Sequence, residues 1–85
     1  MECRVSTPYF SKILKIRELK IDTGEGELII YPYHTDFMSS INKNSMVVIK
    51  TIDNEIIKYK CKQGVIKIQS NSVLVLIDTD EKHSL

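Results

Sequence analysis

The sequence predicts an all-β protein, a sandwich of short antiparallel strands. Turn signals recur along the whole chain, at residues 22–24, 42–45, 53–54 and 70–72. The runs between them are short and rich in Val and Ile, which favour strands. Several of these runs also alternate apolar and polar residues with period two, the pattern of a strand with one buried face.

The first long segment, SKILKIRELKID (residues 11–22), allows two interpretations. As a helix, it would place Ile13, Ile16 and Leu19 roughly on one side. As strands, it would place Leu14 and Ile16 on one parity and Leu19 and Ile21 on the other, with a slip of face between the two pairs. Pro8 just before the segment and the strand signals elsewhere favour strands.

Two hairpins follow from the second half of the chain. VVIKTI (residues 47–52) and EIIKYKC (55–61) flank the Asp-Asn turn, and GVIKIQ (64–69) and SVLVLID (72–78) flank the next turn. Short β-rich runs on either side of such turns are typical of antiparallel hairpins.

The apolar parity changes between these hairpins. Ile57, Tyr59 and Cys61 share one face, whereas past Gly64 the residues Ile66 and Ile68 lie inside, on the other parity, so we predict a β-bulge near residues 63–64. VLVLI (residues 73–77) is apolar on both parities, which predicts an inner strand covered on both faces.

Length and composition limit the possible functions. The 85 residues carry a formal net charge of +1, which is neither a nucleic-acid nor an acidic-partner signature. No apolar run has the length of a membrane span, and the start lacks the apolar middle of a signal peptide, so we expect a soluble, cytosolic chain. Cys3 and Cys61 lie far apart in sequence, and we expect free thiols, with Cys61 a small buried hydrophobe.

The segment GEGELIIYPYHT (residues 24–35) contains glycines, glutamates and a histidine, residue types found in phosphate-binding and catalytic sites. Their arrangement does not fit either kind of site. Gly24 and Gly26 lack the third glycine of a dinucleotide loop and the Lys-Ser/Thr of a P-loop, which favours a turn followed by a strand. Glu25 and Glu27 share a parity, but so small a sandwich offers little pocket for paired-carboxylate catalysis. We therefore expect no catalytic, cofactor or metal site.

Nucleic-acid binding through a lysine-rich face is the strongest alternative function that the residues alone suggest. Lys58, Lys60, Lys62 and Lys67 could serve a free-standing nucleic-acid-binding β-domain. Binders of single strands place aromatic residues among the positive charges, whereas Tyr59 falls on the opposite face. An outer face in contact with water is the simpler interpretation.

The ordered set of segments resembles the epsilon subunit of F-type ATP synthases. GEGELIIYPYHT is similar to the family's Gly-Glu-Leu-Gly-Ile-x-Pro-x-His-Ala-Pro segment. VSTP (residues 5–8) resembles its first strand, and SMVVIK (45–50) its Gly-x-hydrophobic-Arg strand. YKCKQGVIKIQSNSVLVLIDT (59–79) resembles the stretch that ends in Val-Thr-Val-Leu-Ala-Asp-Thr.

The resemblance implies a fold, a role and a location. It implies a flattened antiparallel β-sandwich of about ten short strands over residues 1–79, followed by a frayed polar tail, residues 80–85. It implies a non-catalytic rotor subunit that links the gamma subunit to the membrane c-ring, without a cofactor, nucleic acid or direct membrane insertion. The expected location is the cytoplasmic side of the bacterial inner membrane, as a peripheral part of the ATP synthase.

The same resemblance implies which residues face the c-ring. By position, Glu27 corresponds to the family's acidic residue near the c-ring loops, and His34 to its histidine on the same lower edge. The expected patch is Glu25, Glu27, Tyr31, Pro32, Tyr33 and His34. For His34 alone, a turn residue bonded to its own backbone is an equal alternative. Gly64 has a structural role.

This sequence also departs from the family pattern. Ile29 and Tyr33 replace glycines, and Asp36 replaces a proline. Longer relatives continue with a helical hairpin that inhibits ATP hydrolysis, which these 85 residues lack, so we expect neither inhibition nor ATP binding. A naturally short gene and a trimmed chain both remain open. A small enzyme is a third possibility, and it would require a deep pocket lined by Glu25, Glu27 and His34.

Overall fold

The computed structural model describes residues 1–80 and contains eight strands in that range. No helix there is long and apolar enough to cross a membrane. The strands are β1 Glu2–Ser6, β2 Ser11–Thr23, β3 Gly26–Ile30, β4 Phe37–Ile41, β5 Ser45–Thr51, β6 Ile56–Cys61, β7 Gln63–Gln69 and β8 Ser72–Asp78.

The strands form two sheets that share β2. Sheet A has the order β4-β7-β8-β1-β2, and sheet B has the order β3-β2-β5-β6. The all-β sandwich is confirmed, and it is flattened, with extents of 30 × 29 × 18 Å. All pairs are antiparallel except β1 and β8, which run parallel.

The expected count of about ten strands is too high by two, a minor difference. β2 is a single 13-residue strand that pairs with β1 in its first half and with β3 and β5 in its second half. One unbroken strand therefore serves both sheets, where shorter strands would have been counted separately.

The strand interpretation of residues 11–22 is confirmed, and so is its slip of face. The pairing of β2 with β5 shifts register between Ile16 and Glu18. Ile16 and Leu19 are both buried although they differ in parity, because the extra residue rotates the strand. This bulge lies where β2 passes from sheet A to sheet B.

Both predicted hairpins are confirmed. β5 pairs with β6, and β7 with β8. The β7–β8 loop has two residues, Ser70 and Asn71, with φ of 51° and 59°. Positive φ at both positions is the geometry of a type I′ turn, whose twist matches that of the flanking strands.

The change of parity near residues 63–64 is confirmed, but the bulge predicted there is wrong. The pairing of β7 with β8 begins at Gln63 and runs without a shift. The chain instead bends at Lys62, where it leaves sheet B and enters sheet A, and the Lys62 N–H donates to the Asp78 carbonyl at 2.8 Å. Residues on either side of this corner point inward from different sheets, which reverses the parity.

The core lies between the sheets and consists of the inward-facing alternate residues of each strand. Within residues 1–80, seventeen hydrophobic side chains are buried there, among them Tyr59, Leu19 and Ile66. Cys3 and Cys61 are both buried and free, as expected. Burial raises the pKa of the Cys3 thiol to about 12.

β8 is an inner strand, as predicted, but it is not covered on both faces. It lies between β7 and β1 in sheet A, and Val73, Val75 and Ile77 point into the core. Leu76 on the opposite face is 42% exposed. The second apolar parity of VLVLI therefore faces outward from sheet A within the described residues.

Candidate interaction surfaces

The predicted patch begins at the β2–β3 turn. The Thr23 hydroxyl accepts the N–H of Glu25 at 3.2 Å and donates to the Gly26 carbonyl at 2.9 Å. Gly26 has φ 113°, which an L-residue rarely adopts. The turn therefore fixes Glu25 at the exposed end of β3.

Glu27 follows on the outer face of sheet B. It pairs across the strands with Asp22, and its Oε2 lies 3.3 Å from Lys20 Nζ. Lys20 offsets part of the repulsion between the two carboxylates. Since both partners of this ion pair are about half exposed, it contributes roughly 0–1 kcal/mol to stability.

The aromatic part of the patch lies in the crossover from β3 to β4, which joins the edge of sheet B to the edge of sheet A. Tyr31 is 54% exposed and Tyr33 is 86% exposed. Tyr33 has φ 65°, in the left-handed region that favours glycine. Its N–H donates to Asn71 Oδ1 at 2.7 Å, which connects the crossover to the β7–β8 turn.

His34 is held by its immediate neighbours. Its Nδ1 lies 2.7 Å from the Thr35 carbonyl oxygen, and its ring packs edge-on against Phe37 at 6.1 Å. This is the turn geometry of the alternative considered for His34, bonded to nearby backbone. The residue is only partly buried, so its ring also remains accessible at this edge.

The six predicted residues lie along β3 and its two ends, in two groups. Glu25 and Glu27 lie at its start, and residues 31–34 follow its end. The chain advances by four residue steps from Glu27 to Tyr31, which separates the groups by about 13 Å. We call the whole set, Glu25, Glu27 and residues 31–34, the edge patch.

The four lysines of the nucleic-acid alternative are not brought together. Lys58 and Lys60 point outward from sheet B, whereas Lys67 points outward from sheet A on the opposite side of the sandwich. Lys62 lies at the corner between them and pairs with Asp80 at 2.7 Å. The hydrogen bond and charge of Asp80 raise the pKa of Lys62.

A second surface, which the sequence did not predict, is the outer face of sheet A. Leu76 and Val65 lie directly opposite each other on β8 and β7, and each is 42% exposed. Ser6 and Ser40 flank this pair in the neighbouring strands. These four residues line an open groove of about 600 Å³, together with Lys43 and Asp78 among others. The double parity of VLVLI was the available signal.

The outer face of sheet B differs in its pairing. Among the described residues, each outward apolar side chain there lies opposite a lysine. The pairs are Ile29 with Lys20, Val48 with Lys20 and Lys58, Met46 with Lys60, and Ile56 with Lys50. The contiguous apolar pair is therefore a feature of the sheet A face, which we call the Leu76 face.

The site chemistry is that of binding surfaces. Residues 1–80 contain no group of three or more His, Cys, Asp or Glu side chains that could hold a metal ion. Three open grooves on residues 1–80 are lined by other side chains, and Glu25, Glu27 and His34 are not among their lining residues. The fold defines a β-sandwich domain with exposed apolar and aromatic residues on its surface.

Comparison with known proteins identifies the family. The model of the family "ATP synthase, Delta/Epsilon chain, beta-sandwich domain" matches residues 3–83, and the chain belongs to this family. The resemblance seen in the sequence is thereby confirmed at the level of the delta and epsilon chains.

Two solved structures share the fold. One is a chain of the central stalk/c-ring structure of the Tetrahymena thermophila mitochondrial ATP synthase, with TM-score 0.79 and 15% identity over 92% of this chain and 63% of that one. The other belongs to the Euglena gracilis mitochondrial ATP synthase, an OSCP/F1/c-ring structure, with TM-score 0.76 and 13% identity over 93% of this chain and 49% of that one. This chain thus spans less than two thirds of either relative.

Proposed function

We propose that this protein is a non-catalytic central-stalk subunit of an F-type ATP synthase. In this role it links the gamma subunit to the c-ring, so that ion-driven rotation is coupled to ATP synthesis. The observation that carries the proposal is the family match over residues 3–83. The protein would work as a peripheral component on the cytoplasmic side of the bacterial inner membrane.

The edge patch is the proposed c-ring-facing surface. Its support is chemical: two exposed tyrosines around a proline offer rigid, amphipathic contact area, and exposed Glu25 and Glu27 offer acceptors for polar loops. The patch also spans both ends of β3, so it presents an extended edge that suits the rim of a ring better than a small ligand.

The Leu76 face is the proposed gamma-facing surface. Contiguous exposed apolar side chains next to a groove are a common mark of protein interfaces. Leu76 and Val65 would form the apolar centre, and Lys43 and Asp78, which also line the groove, would belong to a polar rim. On this proposal, two different surfaces of one flattened sandwich hold the two partners.

Co-assembly tests the proposal. ATP synthase complexes from the same organism are depleted of their own epsilon subunit, and gamma and the c-ring are taken from them. The full chain is then added, and its retention of each partner is measured. Leu76→Asp should abolish retention of gamma, because a buried charge in an interface centre is left unpaired. Ile56→Asp, an exposed apolar residue on the outer face of sheet B, is the matched control and should retain gamma.

Glu27→Lys should weaken c-ring retention while gamma is still bound. If the wild-type chain retains neither gamma nor c-ring, the proposed function is wrong. If Leu76→Asp and Ile56→Asp reduce gamma retention equally, the assignment of the Leu76 face is wrong.

A further inference from the structure

Tyr33 has a strained backbone conformation, and burial of its own side chain does not compensate for the strain. Its φ of 65° lies in the left-handed region, which costs an L-residue about 1–2 kcal/mol. Asn and Asp tolerate this region, but an aromatic residue there is uncommon. Since the side chain is 86% exposed, burial of the ring does not offset the cost.

Two long-range hydrogen bonds hold the crossover in this conformation. Asn71 Oδ1 accepts the Tyr33 N–H at 2.7 Å, and Asp36 Oδ1 accepts the Ser70 N–H at 3.1 Å. The bonds run in opposite directions, since the turn supplies one acceptor and the crossover supplies the other. Together they join both ends of residues 33–36 to the type I′ turn.

We infer that Asn71 and Asp36 are positioning residues that hold Tyr31 and Tyr33 in a preformed aromatic rim for the c-ring. This inference rests on the proposed function. Neither residue needs to touch the partner, because each acts on the backbone of the crossover. A loop held in its bound conformation loses less conformational entropy on binding.

The test compares Asn71→Gly with Ser70→Gly in the full chain. Asn71→Gly removes the Oδ1 acceptor, and glycine still accepts the positive φ of the turn. Ser70→Gly makes the same kind of change at the adjacent turn position but leaves both hydrogen bonds intact, since its contribution is a backbone N–H. Asn71→Asp keeps an acceptor and serves as the conservative rescue.

Two readouts are measured for each variant: amide hydrogen exchange at Tyr33 in the isolated chain, and affinity for the purified c-ring. Asn71→Gly should raise the amide exchange rate at Tyr33 about fivefold and weaken c-ring binding by a similar factor. That factor corresponds to the net free-energy contribution of one hydrogen bond. Ser70→Gly and Asn71→Asp should match the wild type in both.

The two readouts separate this inference from the proposed function. Unchanged exchange at Tyr33 in Asn71→Gly would overturn the positioning role, whatever binds. Faster exchange with c-ring affinity equal to that of the wild type would show a purely structural hydrogen bond and would also overturn it. Absence of c-ring binding by the wild-type chain would instead refute the proposed function, and with it the partner named here.

Discussion

Gly64 is the position where one added methyl group should damage the fold most clearly. A Cβ at this residue would lie 2.6 Å from the Leu76 carbonyl oxygen, 2.7 Å from Ile77 Cγ2 and 3.2 Å from Cys61 Sγ. Gly26 is the one glycine with a positive φ in residues 1–80, so Gly64 is required for space and not for a left-handed backbone. Its structural role is a close approach between β7 and β8.

Gly64→Ala should lower the free energy of unfolding by about 2–3 kcal/mol. Overpacking typically costs about 1–3 kcal/mol, and the upper end applies because the nearest atom belongs to the backbone of a paired strand. At about 0.05–0.15 kcal/mol per residue, an 85-residue domain has only about 4–13 kcal/mol in total. The corresponding fall in Tm is roughly 8–24 °C. Gly64→Val, with two more methyl groups, should be worse.

Urea and thermal unfolding followed by circular dichroism would measure both quantities. Gly24→Ala is the matched control, since a Cβ there meets nothing within 4 Å and it should stay within about 0.5 kcal/mol of the wild type. If Gly64→Ala unfolds at the same denaturant concentration as Gly24→Ala, the close approach does not constrain this residue and the reasoning is wrong.

Three further expectations concern single side chains. Tyr33→Gly should raise the unfolding free energy in urea by about 0.5–1 kcal/mol, because relief of the left-handed strain exceeds the entropic cost of glycine; a less stable variant would show that Tyr33 is not strained. Glu27→Lys should change it by less than about 1 kcal/mol, since the pair with Lys20 is half exposed, and a large loss would mean a structural role. Burial raises the pKa of Cys3 from 9.0 to about 12, so the folded state keeps a proton that the unfolded state loses and stability should fall from pH 9 upward. Cys3→Ala should make that fall shallower by up to about 1.4 kcal/mol per pH unit, and an identical slope would contradict the assignment.

Local pattern predicted the parts of the fold whose partners are close in sequence. The hairpins around residues 53–54 and 70–71 join neighbouring runs, so turn chemistry and alternation suffice. The slip within β2 was visible because the buried residues change parity inside one strand. The parallel pairing of β1 with β8 joins opposite ends of the chain, and no local signal specifies it.

The misplaced bulge shows a limit of parity arguments. A bulge within a sheet and a corner between two sheets reverse the buried parity in the same way. Only the partners of β6 and β7 distinguish them: β6 pairs with β5 in sheet B, and β7 pairs with β8 in sheet A.

The candidate surfaces likewise combine features that local sequence predicts with features that depend on long-range contacts. The order of motifs predicted the residues of the edge patch, whose assignment to the c-ring stays a prediction. The bonds from Tyr33 to Asn71 and from Ser70 to Asp36 span 38 and 34 residues, beyond the reach of any local pattern. The second apolar face of β8 was visible in VLVLI. An apolar run does not, however, indicate whether the chain itself or a partner covers that face.

The shared strand β2 has a mechanical consequence. A sandwich whose sheets meet only through side chains can slide, because apolar contacts resist shear weakly. Here continuous backbone crosses between the sheets within β2 and again at Lys62. Shearing one sheet past the other must therefore stretch covalent bonds or break hydrogen-bond ladders in both sheets together. The domain should respond to a twisting force as one stiff body, with its elastic compliance confined to the exposed loops.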